Sequence, residues 1–260
     1  MKEQSLSPAG KNRLHTSRIT SRNNRLKGKI ALVTGASRGI GLAIAHALAR
    51  EGANLIISSR HAAELQTAAA ALKKNSGRVL VQRCDVRDPQ SLEALFAQVK
   101  KRFGRLDILI NNAGTAQPVL NVEKLSVETW RQVLDTNLTA LFLCTRAALP
   151  LMKSGGTIVN NLSISAVSVF PGFAAYTASK YGGLGFTNTL REELRERGIR
   201  VIALMPGATD TEIWEQFWPE APRNRMISPE SVAEVLLAAL LLPANAVVEE
   251  LKVVPTRGSL

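Results

Sequence analysis

Several features that would direct a chain of 260 residues to a membrane, a metal or a disulfide framework are missing from this sequence. No apolar run reaches the roughly 18 residues that a membrane-spanning helix needs, which predicts that there is no membrane partner. The two cysteines, Cys84 and Cys144, lie far apart, and the three histidines follow no ligand spacing. These counts argue against disulfides and a metal site, and they favour a reducing compartment and hence the cytoplasm.

Acidic residues are scarce beside basic ones, since 21 Asp or Glu face 33 Lys or Arg and leave a net charge of +12. Such an excess can indicate a nucleic acid or an anionic membrane surface as partner. Residues 1–27 hold half of it, with seven Lys or Arg against Glu3, and they show no hydrophobic periodicity. We therefore predict a basic, flexible N-terminal extension, with a transit peptide as the alternative. The lack of nucleic-acid motifs predicts no nucleic-acid partner.

From residue 28 onward, short apolar runs alternate with segments of helical periodicity. The runs predict strands at 30–34, 54–58, 78–83, 106–110, 156–162 and 200–205, and the periodic segments predict helices at 39–50, 62–74, 90–103, 126–152 and 176–197. This alternation is typical of a parallel sheet with helices on both faces. The nearly all-apolar strands indicate burial on both sides. We predict a single three-layer, doubly wound Rossmann-type α/β domain over 28–260.

Three glycines mark the junction of the first predicted strand and helix, in Thr34-Gly-Ala-Ser-Arg-Gly-Ile-Gly41. Glycine permits a tight turn and a close approach of the backbone to a pyrophosphate, which the free N–H groups of a helix N-terminus attract. A P-loop is excluded, because no Gly-Lys-Ser/Thr closes the segment. The turn indicates a dinucleotide site, with an ordinary strand–helix turn as the alternative.

The end of the second predicted strand bears on which dinucleotide is bound. An acidic residue there would accept hydrogen bonds from the ribose hydroxyls and favour NAD. This chain has Ser59 followed by Arg60, and Arg38 lies in the glycine turn. Two guanidinium groups without a carboxylate suit a 2′-phosphate, so we predict NADP(H) as the preferred cofactor over NAD(H). The alternative is that both are ordinary surface arginines.

A phenol and an ammonium lie one helical turn apart in Tyr176-Thr-Ala-Ser-Lys180. Residues i and i+4 share a helix face, so the positive charge favours phenolate and lowers the phenol pKa from its ordinary value of about 10. Such a pair suits proton transfer in carbonyl–alcohol redox chemistry. Taken alone the motif is weak, because it also occurs as a pair on helix surfaces.

Other segments accompany this pair in a fixed order. Ser163 ends a predicted strand upstream of Tyr176, Asn111-Asn-Ala-Gly114 follows another strand, and Asn137 lies in Asp135-Thr-Asn-Leu138. With the glycine turn, these motifs resemble those of the short-chain dehydrogenase/reductase family over about residues 28–210. The resemblance implies an oxidoreductase with a small-molecule carbonyl or alcohol substrate, assembled as a homodimer or homotetramer.

The resemblance also implies a role for each catalytic residue. Tyr176 donates the proton, while Lys180 lowers its pKa and holds the nicotinamide ribose. Ser163 binds the substrate oxygen, and Ser165 is the competing choice. Asn137 kinks its helix and binds a water that passes protons to Lys180.

The resemblance likewise implies the cofactor contacts. Asp85 is expected to meet the adenine amino group, and Asn111, Ala113 and Gly114 are expected beside the adenosine ribose, or else as a turn that stabilises the sheet. The full set of expected contacts is Gly35, Ser37, Arg38, Gly39, Ile40, Gly41, Ser59, Arg60, Asp85, Val86, Asn112, Ala113, Gly114, Tyr176, Lys180, Pro206, Gly207, Thr209 and Thr211.

Two segments depart from the family pattern. The strand before the serine reads Asn160-Asn-Leu-Ser163, where the family often has Asn-Ile-Ser-Ser. The chain ends with Val247–Pro255 and lacks the usual glycine-containing segment, which puts in doubt the acyl-carrier-protein reductase branch and the tetramer contact built from the last strand.

An aromatic stretch, Glu212-Ile-Trp-Glu-Gln-Phe-Trp-Pro219, follows the last predicted strand. Trp214, Phe217 and Trp218 form either a lid over an apolar substrate or a packing surface for the core or a neighbouring subunit. A protein that binds the dinucleotide as a sensor, without turnover, is the alternative function. The presence of Ser163, Tyr176 and Lys180 together argues against it.

Overall fold

Seven strands of this chain lie side by side in one parallel sheet. A computed structural model describes residues 24–73 and 77–258. Its strands are β1 (Ile30–Thr34), β2 (Asn54–Ser59), β3 (Val79–Arg83), β4 (Ile108–Asn111), β5 (Thr157–Asn161), β6 (Arg200–Pro206) and β7 (Glu250–Val253). Their order across the sheet is β3-β2-β1-β4-β5-β6-β7, and every neighbouring pair is parallel. The predicted Rossmann-type α/β domain is confirmed.

Helices cover both faces of this sheet. They are α1 (Gly39–Arg50), α2 (Ala62–Leu72), α3 (Pro89–Phe103), α4 (Val127–Leu134), α5 (Ala140–Ala148), α6 (Ala174–Arg195), α7 (Trp214–Phe217) and α8 (Pro229–Leu240). One apolar cluster packs α1, α2 and α8 on one face, and a second packs α3, α5 and α6 on the other. Val33 belongs to the first cluster and Leu32 to the second, because successive strand side chains point to opposite faces. This double burial explains why the strands are apolar at nearly every position.

The helix predicted over 126–152 is divided into several pieces. α4 is followed by a π-helical segment, Asp135–Thr139, then by α5 and a 3₁₀ turn, Leu149–Leu151. Asn137 lies in the π-helical segment, where the helix was expected to kink. α6 begins at Ala174, two residues earlier than predicted, so Tyr176 lies in its first turn.

The strand and helix predictions omitted α8 and β7. α8 begins with a capping serine, Ser228, whose side chain accepts the N–H of Ser231, and Pro229 occupies its first turn. β7 pairs in parallel with β6 at the edge of the sheet. The last strand therefore forms even though this chain lacks the family's usual glycine-containing ending.

The first described residues pack on the domain. Leu26 is buried, and its N–H donates to the carbonyl of Glu51 at 3.0 Å. The backbone N–H of Arg25 donates to the Glu51 carboxylate at 3.3 Å. Residues 24–27, which the sequence assigned to a flexible extension, are thus attached to the C-terminal end of α1; the rest of that prediction, residues 1–23, lies outside the described residues. Within the described part of the chain, none of the helices is long and apolar enough to cross a membrane.

Candidate active site

The carboxyl ends of the central strands open into a cavity of about 690 Å³. The strand order reverses between β1 and β4, and ligands of open α/β sheets bind at such a reversal. The full set of expected cofactor contacts lies on the wall of this cavity, as do Ser163 and Ser165, whereas Asn111 does not. Asn137 lies off the wall but is bonded to Thr115, which is on it. The sheet therefore brings together segments that are far apart in the sequence.

Tyr176 and Lys180 are the central polar pair of the cavity wall. Both are buried, with 8% and 6% of their surface exposed, and the ammonium lies 5.3 Å from the centre of the phenol ring. The side chain of Ser163 lies near enough to the phenol to influence its pKa. Ser163 Oγ accepts the backbone N–H of Ser165 at 3.1 Å. Ser163 therefore lies beside the phenol, as the sequence predicted.

Burial dominates the protonation of this pair. Burial raises the pKa of Tyr176 to about 12, and the side chain of Ser163 opposes that rise. Burial also lowers the pKa of Lys180 to about 8, because charge is penalised away from water. The sequence predicted a phenol pKa below its ordinary value, and this is wrong, because desolvation is the largest cause of the shift and acts upward. Lys180 Nζ donates to the carbonyl of Asn161 at 3.2 Å.

Asn137 fastens the π-helical segment to the site. Its Oδ1 accepts the N–H of Thr115 at 2.9 Å, and its Nδ2 donates to the carbonyl of Thr115 at 3.0 Å and to Ser179 Oγ at 3.1 Å. Both amide protons are thus used by protein acceptors. The side chain therefore holds the loop after β4 against α6, and the expected relay through water to Lys180 stays a prediction.

Gln117 is a site residue that the sequence did not reveal. It is fully buried, and its Oε1 accepts the backbone N–H of Tyr176 at 3.0 Å. Its Nε2 donates to the carbonyl of Gly172 at 3.1 Å. Tyr176 lies in the first turn of α6, where backbone N–H groups have no partner within the helix, and the capping residue Phe173 offers no side-chain acceptor. Gln117 therefore caps α6 from a remote loop, directly at the reactive phenol.

The glycine turn has the geometry that its sequence indicated. Gly35 and Gly39 have φ values of +63° and +55°, which side chains other than glycine rarely adopt. A Cβ on Gly41 would collide with the side chain of Asn112 and the carbonyl of Gly35. α1 starts at Gly39 with no acidic residue in its first turn. The free N–H groups of that turn face the cavity, as an anion site requires.

The two asparagines after β4 have different surroundings. Asn112 lies on the cavity wall, and its Nδ2 donates to the carbonyls of Thr34 and Gly35 at 2.9 and 3.0 Å, which holds the glycine turn in place. Asn111 is buried within the sheet, where its Nδ2 donates to Asn160 at 2.9 Å. The side chain of Asn111 therefore stabilises the pairing of β4 with β5, and its place beside the ribose stays a prediction.

Arg38, Ser59 and Arg60 meet on the cavity wall at the ends of β1 and β2. Ser59 Oγ donates to the buried Ser37 Oγ at 3.1 Å, so the strand end and the glycine turn are joined. The Arg38 guanidinium is about half exposed and lies 3.9 Å from the carboxylate of Glu64. That distance leaves the guanidinium only loosely paired and available to an anion in the cavity.

Asp85 is held by a neighbour. Its carboxylate forms a 2.6 Å ion pair with Arg87, whose hydrogen bond lowers the pKa of Asp85. Asp85 and Val86 both line the cavity beyond β3. The carboxylate is therefore ionised and can accept a hydrogen bond from an amino group.

The loop after β6 closes the opposite side of the cavity. Pro206, Gly207, Thr209 and Thr211 all line it. Thr209 Oγ1 donates to the carbonyl of Gly207 at 3.0 Å, and Trp214 Nε1 donates to the carbonyl of Thr209 at 2.9 Å. These bonds fix the loop that leads into α7.

The aromatic stretch packs on the reactive phenol. The ring of Phe217 lies edge-on to that of Tyr176 at 4.7 Å between centroids, and it lies 4.8 Å from Phe173 and 5.8 Å from Trp214. Phe217 is buried, whereas Trp218 is 42% exposed. Phe217 therefore packs against the core, and it also lines the cavity together with Trp214 and Trp218. Whether this stretch acts as a lid over a substrate stays a prediction.

Residues 24–73 and 77–258 contain neither a cluster of potential metal ligands nor a disulfide. Within those ranges no group of three or more His, Cys, Asp or Glu is placed to hold a metal ion. Cys84 and Cys144 are both buried free thiols.

A sequence model of the short chain dehydrogenase family matches residues 29–222 of this chain. This chain belongs to the short-chain dehydrogenase family. It is 38% identical, over 74% of its length and 70% of the relative, to the 3beta-hydroxysteroid dehydrogenase of Mediterraneibacter gnavus. As a member of this family it is an oxidoreductase of alcohols and carbonyls that uses a nicotinamide dinucleotide.

Solved structures of this family share its architecture. An alcohol dehydrogenase from Thermococcus sibiricus, complexed with 5-hydroxy-NADP, superimposes with a TM-score of 0.81 at 31% identity, over 86% of this chain and 95% of that one. A 3-ketoacyl-(acyl-carrier-protein) reductase from Brucella melitensis, complexed with NADH, gives 0.81 at 30% identity, over 89% and 99%. Structures of similar resemblance thus hold either dinucleotide.

Proposed function

We propose that this chain is an NADP(H)-dependent oxidoreductase that interconverts a ketone or aldehyde and an alcohol by hydride transfer. The observation that carries the proposal is the placement of the buried Tyr176 phenol beside the Ser163 side chain, with Lys180 one turn away on the same cavity wall. Such a constellation supplies a proton donor and an oxygen-binding group at a single point.

The wall of the cavity suits a dinucleotide. Gly35, Gly39 and Gly41 form the tight turn before α1, where a Cβ would crowd neighbouring segments, and the N-terminus of α1 offers free N–H groups. Asp85 would accept from the adenine amino group, and Pro206 and Thr209 would line the nicotinamide side. The bound dinucleotide supplies or accepts the hydride.

Proton transfer belongs to Tyr176. In the direction of reduction, its hydroxyl donates to the carbonyl oxygen as negative charge grows there, and Ser163 holds that oxygen by a hydrogen bond. The pKa of about 12 keeps Tyr176 protonated at neutral pH, as a donor requires. Lys180 would bind the ribose and, when protonated, would ease the loss of the proton by its charge.

Arg38 and Arg60 support the preference for NADP(H). Both line the cavity where the second strand ends, and Ser59 stands where an acid would favour NAD(H). Among the described residues, the carboxylate paired with the Arg38 guanidinium is that of Glu64, at 3.9 Å. A 2′-phosphate would find two cations at this point.

We also propose a homodimer or homotetramer. Phe142 on α5 is 44% exposed and lies edge-on to Phe186 of α6, so the outer surface of these helices carries aromatic area that a second copy would cover. Light scattering should show an assembly of two or four copies, and Phe142→Glu should shift it toward the monomer. A wild-type monomer at micromolar concentration would contradict this assignment.

The proposed function is tested by Tyr176→Phe, with Tyr181→Phe as control. The chain has two tyrosines, and Tyr181 lies on the same helix but is 44% exposed to solvent. Ketone-dependent oxidation of NADPH should fall about 100-fold or more in Tyr176→Phe, because the proton donor is lost. NADPH affinity should be retained, and Tyr181→Phe should behave as wild type. Normal turnover by Tyr176→Phe would exclude the proposed site.

A further inference from the structure

The side of the cavity next to the phenol is largely apolar. Its wall is formed by the side chains of Val119, Phe170, Phe173, Trp214, Phe217 and Trp218, which we name the apolar wall. The chain supplies them from three separate segments, the loop after β4, the approach to α6, and α7. Bonds between backbones join these segments, for the N–H of Leu120 donates to the carbonyl of Gly172 at 3.1 Å.

The apolar wall is continuous with the reactive group. The Phe217 ring contacts the Tyr176 ring directly, and Phe173 and Trp214 both stack around Phe217. A substrate whose carbonyl oxygen reaches Tyr176 and Ser163 must therefore place its remaining carbons against these rings. Small substrates would leave most of this apolar surface in water, which is unfavourable.

Part of the apolar wall is exposed to solvent. Val119 and Trp218 keep 46% and 42% of their surface open to solvent, although both line the cavity. Large apolar side chains are usually withdrawn from water, so exposed ones beside a reactive group favour an apolar ligand.

The charges around the cavity are unevenly distributed. Arg38 and Arg60 lie at the ends of β1 and β2, and β2 is three strand spacings, about 14 Å, from β5, whose end carries Ser163. The Lys180 ammonium is bonded to the carbonyl of Asn161. The described wall also carries His61, which follows Arg60 in the sequence, and several carboxylates. One of these carboxylates is Glu220, which lies two residues after Trp218 of the apolar wall. The described cavity wall therefore carries no further Lys or Arg that could bind an anionic group on a substrate.

We propose that the substrate is a bulky, uncharged ring ketone, or the matching secondary alcohol, rather than a keto acid or an anionic thioester. This inference rests on the proposed function. In reduction, the carbonyl carbon gains a hydride from the reduced nicotinamide dinucleotide, the C=O π bond breaks, and the oxygen takes the proton of Tyr176. The products are the secondary alcohol and the oxidised dinucleotide, and Tyr176 recovers a proton from solvent.

The test compares matched ketones with the full-length chain at saturating NADPH. Acetone, cyclohexanone and 2-decalone differ in apolar size, whereas 4-oxocyclohexanecarboxylate and its methyl ester differ in charge. We expect kcat/KM to rise at least about 100-fold from acetone to 2-decalone, since each methylene in an apolar pocket contributes roughly tenfold or more. The ester should exceed the carboxylate at least about tenfold. Equal or better use of acetone or of the carboxylate would overturn the proposal.

A charge reversal locates the cause of the discrimination. Glu220→Lys should raise the ratio of kcat/KM for the carboxylate to that for the ester about fivefold at low salt, with the gain reduced by added salt. Glu215→Lys is the matched control, because Glu215 lies on α7 but not on the cavity wall. An equal gain in both variants would show that the acid at the cavity does not select the substrate. If none of the ketones is reduced with NADPH or NADH, the proposed function itself fails, which is distinguishable from a preference for anionic or small ketones.

Discussion

Gln117→Met removes both hydrogen bonds of a fully buried side chain while keeping its length. The backbone N–H of Tyr176 then has no acceptor, and the carbonyl of Gly172 loses one of its two donors but keeps the N–H of Leu120. A buried donor left without a partner costs about 1–3 kcal/mol, and a lost hydrogen bond about 1 kcal/mol more. The free energy of unfolding should therefore fall by roughly 2–4 kcal/mol. For a domain of this size that corresponds to a drop in Tm of about 5–15 °C.

Activity should suffer as well, because the first turn of α6 carries the phenol. A displacement of the reacting group by about 1 Å can cost about 100-fold in rate. We expect kcat for a ketone to fall at least about tenfold in Gln117→Met, with KM for the ketone and the Kd for NADPH nearly unchanged. Gln117 does not touch the substrate in this account, so it is a positioning residue.

Steady-state kinetics and NADPH titration are measured at a temperature well below the Tm of both proteins. Thermal unfolding then gives the Tm of each. Gln132→Met is the control, since Gln132 is exposed on α4 and its side chain makes none of these bonds. A merely structural role would lower Tm and weaken NADPH binding without a selective loss of kcat. If kcat stays within twofold of wild type, the claim that this glutamine positions Tyr176 is refuted.

The sheet could be predicted from the sequence because its strands are buried on both faces. Runs such as residues 30–34 and 106–110 have no competing pattern, and the helices between them show apolar periodicity. β7 does not follow this rule, since its residues alternate between exposed and half-buried at the sheet edge. The sequence Ser228-Pro229 is a typical helix start and could have indicated α8. The helix was missed because it follows a long irregular loop and so does not continue the regular alternation of strands and helices.

The motifs predicted which residues surround the cavity, but not what they contact. Asn112 and Gln117 differ little from other loop amides in sequence, and their partners are 78 and 59 residues away. Only the folded sheet brings those segments together. The prediction of a lowered phenol pKa was wrong for a related reason. The sequence places Lys180 one turn from Tyr176, but it does not show how completely both side chains are buried.

Two further predictions concern charge. Changing Arg38 and Arg60 together to Ala should weaken NADPH binding about 100-fold and leave NADH binding nearly unchanged, as titration of both dinucleotides would show; equal losses would contradict the 2′-phosphate assignment. The other concerns stability against pH in the unliganded chain. Because the pKa of Lys180 is lowered from 10.5 to about 8, the unfolded chain binds more protons than the folded chain between those values, so this lysine makes stability rise with pH. The rise amounts to roughly 3 kcal/mol across that window. Tyr176, whose pKa is raised from 10.0 to about 12, acts in the opposite sense above pH 10. Lys180→Met isolates the lysine contribution: near pH 7 the variant should gain stability relative to wild type by removal of a buried charge, and that advantage should shrink by roughly 3 kcal/mol toward pH 10.5. Urea unfolding of both proteins at steps of one pH unit measures the difference directly, and parallel curves would mean that Lys180 is solvated rather than buried in solution.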